Sequence, residues 1–199
     1  MLFFYFLFAH LVSDYILQPD ILVEWKNRSK WGVLTHALIH FLFTTLVLVL
    51  YTGHLQVAFL ALLVAIFHFV IDSTKAGYDQ HHQNTTVSYW IDQVVHYLSM
   101  LVISLLALQF NGLLGPRTYQ YSNYFDLLFF NPVVITFTSM AIFITLTMEY
   151  SHYKRRAKYT DAHPLLNRKN MIRRLFLATL IYFGLLFALV PSVGVYFGG

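Results

Sequence analysis

Apolar runs close to the ~20 residues that cross a hydrocarbon core recur along this chain, at residues 2–17, 33–51, 55–73, 89–109, 132–149 and 175–197. Nothing constrains the fold more. The reading is an all-α fold: a polytopic integral membrane helix bundle of six transmembrane helices, with residues 1–110 as a four-helix core and 111–199 as two further helices joined by a basic loop. Composition agrees, because only 11% of residues are charged, against ~25% in an ordinary soluble domain. Segment 2–17 has a signal peptide's length, but it lacks a basic leader and a small-residue cleavage site, so it is expected to be a retained, slightly short helix. With no cysteine, disulfides, thiolate metal sites and a cysteine nucleophile are excluded.

Four of these apolar runs carry ionisable residues at a spacing of four: His10 and Asp14, His36 and His40, His68 and Asp72, Asp92 and His96. That spacing puts each pair on one face of a helix. Ionisable groups inside a membrane cost several kcal/mol unless paired, hydrated or bound to a metal, so they mark function.

Orientation follows from the basic residues. All but Arg117 of the 13 lysines and arginines fall in the connections after the first, third and fifth runs. The excess of Lys and Arg in cytoplasmic loops then puts both termini outside the cytoplasm. On that topology the four pairs share one depth near the cytoplasmic interface, and Glu149 arrives at a similar level. The basic cluster 154–174 is read as a topology signal, and secondarily as a contact for acidic lipid, not as a nucleic-acid surface.

Imidazole and carboxylate together suit a divalent metal: zinc first, manganese or iron next, as one or two ions. The candidate ligands are His10, Asp14, His36, His40, His68, Asp72, Asp92 and His96. Candidate catalytic groups are Asp14, Asp92 and Lys75, and the candidate substrate contacts are Lys26, Lys75, Gln18 and Gln93. The blander reading of such histidines is interhelical hydrogen bonding. His81 and His82 are read as solvated loop residues, His54 as interfacial, His152 and His163 as surface groups. Trp31, Trp90 and Tyr51 are read as an aromatic belt.

His10-Leu-Val-Ser-Asp14 with Leu17-Gln18, His36-Ala-Leu-Ile-His40, His68-Phe-Val-Ile-Asp72 with Lys75, and Asp92-Gln93-Val-Val-His96 resemble, in that order, an uncharacterised bacterial inner-membrane family. It is a domain of unknown function often encoded beside or fused to SatD-like proteins. The match spans about residues 2–106, and the motif style is more loosely similar to bacterial membrane-bound metal-dependent hydrolases. The resemblance implies a helical inner-membrane protein with a metal site and a SatD-like partner. It supplies no substrate.

Three functions compete. The first is a metal-dependent hydrolase of a lipid or lipid-linked phosphate at the cytoplasmic leaflet, with metal-activated water as nucleophile, a non-ligating Asp or His as base, and Lys75 or Lys26 on the anion. The second is a proton or divalent-metal transporter, against which stands the absence of broken mid-membrane helices and of polar groups in both leaflets. The third is a di-iron lipid oxidase, for which the set carries too many aspartates. The expected partner is membrane lipid, and a homo-oligomer stays open.

Overall fold

The computed structural model describes residues 1–82, 86–109, 131–151 and 168–189. Among the described residues every regular element is helical. The chain divides into two compact units, Met1–Thr136 and Phe137–Gly199.

The first unit opens with α1, Leu2–Tyr15, after which the chain bends by 92° into α2, Asp20–Arg28. Pro19 causes the break: it has no N–H to donate and disfavours helix at the residue before it. It sits extended at φ −68°, ψ 157°, and Asp20 follows in the first turn of α2, where the positive end of a helix favours a carboxylate. The apolar runs 2–17 and 33–51 leave a connection between them, and α2 makes most of that connection helical.

Ser29, extended at φ −151°, ends α2 and starts α3, Lys30–Thr52, its hydroxyl accepting the Trp31 N–H at 3.2 Å. Three residues after Ser29, Gly32 lets the two helices touch backbone to backbone. A Cβ there would stand 2.5 Å from the Trp25 carbonyl carbon and 2.6 Å from the Lys26 nitrogen. α3 closes at Gly53, which takes a left-handed φ of 76° and donates to the Val49 carbonyl at 2.7 Å.

A 3₁₀ turn, Leu55–Val57, leads into α4, Ala58–His81, and then α5 spans Thr86–Ala107. Both helices extend into the connection between the apolar runs 55–73 and 89–109, and His81, read as a loop residue, ends α4. Lys75 and Asp79, four apart on α4, pair at 3.1 Å, and Ser88 at the start of α5 donates to the other Asp79 oxygen at 3.0 Å. The polar residues there continue the helix instead of ending it.

At 1.5 Å per residue, α3, α4 and α5 run about 33–36 Å, more than a ~30 Å hydrocarbon core, whereas the 14 residues of α1 reach only about 21 Å. Outward faces are apolar: Leu34, Leu38, Leu42 and Leu46 form an exposed stripe at intervals of four along α3, and Leu98, Leu101 and Leu105, three and four apart, form one on α5. Such a surface is stable against lipid and not against water. The packed apolar core lies at one end of this bundle. Tyr5, Phe6 and Ala9 meet Val47, Leu48 and Tyr51 of α3, Ala61 and Val64 of α4, and Met100 and Ile103 of α5. Tyr51 is 8% exposed and stacks on Tyr5 with ring centres 4.0 Å apart, so it is a core residue rather than part of an aromatic belt. Trp31, by contrast, is 70% exposed.

The second unit contains most of α6, which runs over Pro132–Ile142, widens into a π turn at Phe143–Thr147 and stays helical to Ser151; α7 spans Arg168–Leu189. Phe137 packs on Tyr182, and Arg174 donates to Glu149 at 2.7 Å. Glu149 therefore has a cationic partner of its own. Helix α7 begins earlier than the expected 175, taking in Arg168, Lys169, Arg173 and Arg174.

Four described helices are long and apolar enough to cross a membrane: α3, the 3₁₀ turn with α4, α5 and α6. The count is five if the bent pair α1–α2 forms one span. The sequence reading proposed six. Residues 110–130 and 152–167, with Arg117, His152 and His163, lie outside the described residues.

Candidate metal centre

At the end of the first unit opposite its apolar core, the four spaced pairs come together. α1 supplies His10 and Asp14, α3 His36 and His40, α4 His68 and Asp72, and α5 Asp92 and His96. All five imidazoles are buried, at no more than 2% exposure, and Asp72 is 5% exposed. The Asp14 and Asp92 side chains keep 12% and 9%. Helical periodicity is the reason: each pair occupies the inward face of its own helix, and four inward faces enclose one volume.

Every histidine turns its Nε2 toward a carboxylate. His40 and His36 reach Asp14 Oδ1 at 2.8 and 3.2 Å, which are hydrogen bonds. The others stand further off: His10 Nε2 is 3.5 Å from Asp14 Oδ2, His68 Nε2 3.4 Å from Asp72 Oδ2, and His96 Nε2 3.4 Å from Asp72 Oδ1 and 3.5 Å from Asp92 Oδ1. These distances are long or poorly aimed for hydrogen bonds, and His10 Nε2, His68 Nε2, His96 Nε2 and Asp92 Oδ1 have no hydrogen-bond partner. Buried polar atoms normally have one, so atoms left without it and converging on a shared volume fit a ligand between them. The rings also touch: His40 stacks on His68 with centres 3.6 Å apart, and His68 on His96 at 4.2 Å.

Three subsets could hold an ion, each with its ligand atoms within 4.8 Å of one another: His10, Asp14, His40 and His68; His36, His68 and Asp72; and Asp72, Asp92 and His96. His68 and Asp72 each belong to two subsets. The first is three imidazoles and a carboxylate, the tetrahedral donor set of zinc and its neighbours; the third is carboxylate-rich.

A ninth residue completes the group. Lys26, from α2, donates to Asp72 Oδ2 at 2.9 Å. Burial would lower this ammonium's pKa, but Asp72 and Asp14 outweigh that and hold it above the ordinary lysine value. With its amide oriented to suit both neighbours, Gln18 accepts from Lys26 at 3.1 Å and donates to the Asp14 carbonyl at 3.2 Å. Gln93, 3% exposed, donates to Asp92 at 3.4 Å and accepts from Tyr97 at 3.0 Å. These two glutamines, like Lys26, brace the cluster.

Lys75 is different. Its ammonium pairs with Asp79, further along α4. His81 and His82 are exposed, and the His82 ring stacks on Tyr78. Sequence reasoning missed the Asp79–Ser88 contact, the placement of Tyr97 against the His10 ring at 5.8 Å, and the role of Gly32. A glycine beside an N-terminal cap was the one available signal for the last.

No curated protein and no solved structure matches this chain. A family model described as "Protein of unknown function (DUF3307)" matches residues 2–121, a stretch that contains all eight clustered residues and Lys26. By that match, over more than half its length, the chain belongs to the DUF3307 family.

Proposed function

We propose that this protein is a metal-dependent hydrolase of the bacterial inner membrane, acting at the cytoplasmic leaflet on a lipid or lipid-linked phosphate. The observation that carries the reading is the convergence of five buried imidazole Nε2 atoms on three aspartates, several of those atoms having no hydrogen-bond partner. Six spans with both termini outside the cytoplasm would put this cluster at the inner leaflet.

His10, Asp14, His40 and His68 would hold the ion, zinc first and manganese or iron next. A bound divalent ion would supply Lewis-acid activation of water and of a phosphoryl oxygen. Asp92, whose Oδ1 is unpartnered, has the position and chemistry of a proton acceptor. Gln93 and Tyr97 hold its carboxylate in place. His36 orients Asp14 through its Nε2. A SatD-like protein is the expected partner.

A second reading, a proton or divalent-metal transporter, is favoured by two features: the stacked row His40, His68 and His96 connects the Asp14 end of the cluster to the Asp92 end, and the 92° bend makes α1 and α2 a broken helix if the pair forms one span, against the expectation of unbroken helices. The test is to purify the protein without a metal-affinity tag, measure bound metal by elemental mass spectrometry, and assay hydrolysis of phospholipid and polyprenyl phosphate. Stoichiometric metal and turnover, both lost in His68→Ala, support the hydrolase. Metal with ion flux in proteoliposomes but no turnover favours transport. No metal after reconstitution sinks both metal readings.

A further inference from the structure

The charges within the cluster do not balance as they stand. Asp14, Asp72 and Asp92 contribute three carboxylates, and Lys26 is the single lysine or arginine that reaches them among the described residues. Counting the carboxylates against the ammonium alone, the carboxylates are in excess by two charges, and buried charge is stable only when paired. One divalent ion closes that difference. Two ions beside Lys26 would overshoot it by two positive charges.

Geometry adds a second constraint. The subset His10, Asp14, His40 and His68 and the subset Asp72, Asp92 and His96 share no residue, so each could take an ion independently. The second subset also has two atoms that are buried and unpartnered, Asp92 Oδ1 and His96 Nε2. Its central carboxylate, however, already has a cation, Lys26 Nζ at 2.9 Å on Asp72 Oδ2. That ammonium is fixed from several directions: Gln18 accepts from it, and Gly32 lets α2 lie close enough to deliver it.

We propose that Lys26 is a tethered second cation of the metal centre. The native chain holds one divalent ion, at His10, Asp14, His40 and His68, and Lys26 keeps a latent second site at Asp72, Asp92 and His96 from filling. This rests on the proposed metal reading and adds to it a stoichiometry and the residue that sets it. A lysine competes with a metal at a carboxylate by charge and by occupying the oxygen lone pairs, and it does so without regard to which metal is offered. Removing it leaves Asp72 with both oxygens free beside two unpartnered ligand atoms, and a second ion can then enter with one anion from solution.

The test uses full-length protein in detergent, equilibrated with buffered free Zn²⁺ or Mn²⁺ and analysed by elemental mass spectrometry. The native chain should carry one ion per chain, Lys26→Met two, and Lys26→Arg, which keeps the charge, one. Lys26→Met combined with Asp92→Asn should return to one, which places the second ion. Should Lys26→Met prove unstable, Lys26→Gln replaces it and should also carry two.

One ion in both the native chain and Lys26→Met overturns the tethered-cation proposal while leaving the metal reading standing. Two in the native chain overturns it as well. None in either refutes the metal reading itself. None in the native chain but one in Lys26→Met would keep the competition and discard the four-ligand site.

Discussion

Replacing Gly32 by alanine adds one methyl group where two backbones meet. That Cβ would lie 2.5 Å from the Trp25 carbonyl carbon and 2.6 Å from the Lys26 nitrogen. Carbon atoms at optimal contact are about 3.5–4.0 Å apart, so α2 must retreat by roughly 1 Å. The obstacle is main chain, which cannot rotate out of the way as a side-chain tip would. Such overpacking costs about 1–3 kcal/mol. The same retreat carries Lys26 Nζ from 2.9 Å toward ~3.9 Å of Asp72, beyond hydrogen-bond reach unless the side chain re-extends. Against this, alanine is a better helix former than glycine by at most ~1 kcal/mol, and less near a helix start. The contact term wins, and a net loss of about 0.5–2.5 kcal/mol is expected. Gly77 in α4 is the control, since a Cβ there meets nothing within 4 Å. Gly77→Ala should therefore stabilise by about 0.5–1 kcal/mol. The assay is reversible denaturant unfolding in mild detergent, with both variants beside the parent chain. If Gly32→Ala is as stable as the parent while Gly77→Ala behaves as expected, the close α2–α3 approach is refuted.

Chelation should destabilise the metal-loaded protein. An ion at a hundred times its dissociation constant contributes about 2.7 kcal/mol, and a chelator titration followed by thermal unfolding should remove about that much. Asp14→Asn should abolish this difference, because His36 and His40 both hydrogen-bond the carboxylate it removes. Lys75→Met should cost about 0.5–1 kcal/mol through its Asp79 partner and leave metal content unchanged; loss of metal in that variant would put Lys75 back in the site. In the second unit, Glu149→Leu strands Arg174, which is 17% exposed, and should cost about 3–5 kcal/mol in the same unfolding assay. Adding Arg174→Leu should restore most of that loss.

The residues that build the centre were legible because a helix repeats every 3.6 residues, so a four-residue spacing alone places His68 with Asp72 and His10 with Asp14. Convergence of the four pairs also followed from the alternation of long apolar runs. What stayed hidden was local. In α2, Leu22 is the single buried residue and the charges of Glu24, Lys26 and Arg28 surround it, so the segment reads as a basic loop. What the sequence does not display is its tertiary neighbour, Gly32 of α3, against which its backbone lies. The last turns of α4 looked like loop for a related reason: Lys75, Asp79 and His81 are polar, and only the pairing of Lys75 and Asp79 shows that polarity there serves a helix. The π turn at Phe143–Thr147 has no sequence signal, since an i→i+5 register is not encoded by residue type.

The clustered histidines and aspartates come from four separate helices, and this has a consequence for biosynthesis. α1 enters the bilayer with Asp14 long before α5 brings His96, and α4 arrives with Asp72 while its partners on α5 are still being made. An aspartate costs about 2.5–3.5 kcal/mol at a helix centre on insertion scales and less toward the interface, so α1, α4 and α5 each carry part of that cost in lipid by themselves. They must be retained beside one another at the insertion machinery until α5 emerges, and then be released into lipid as a group.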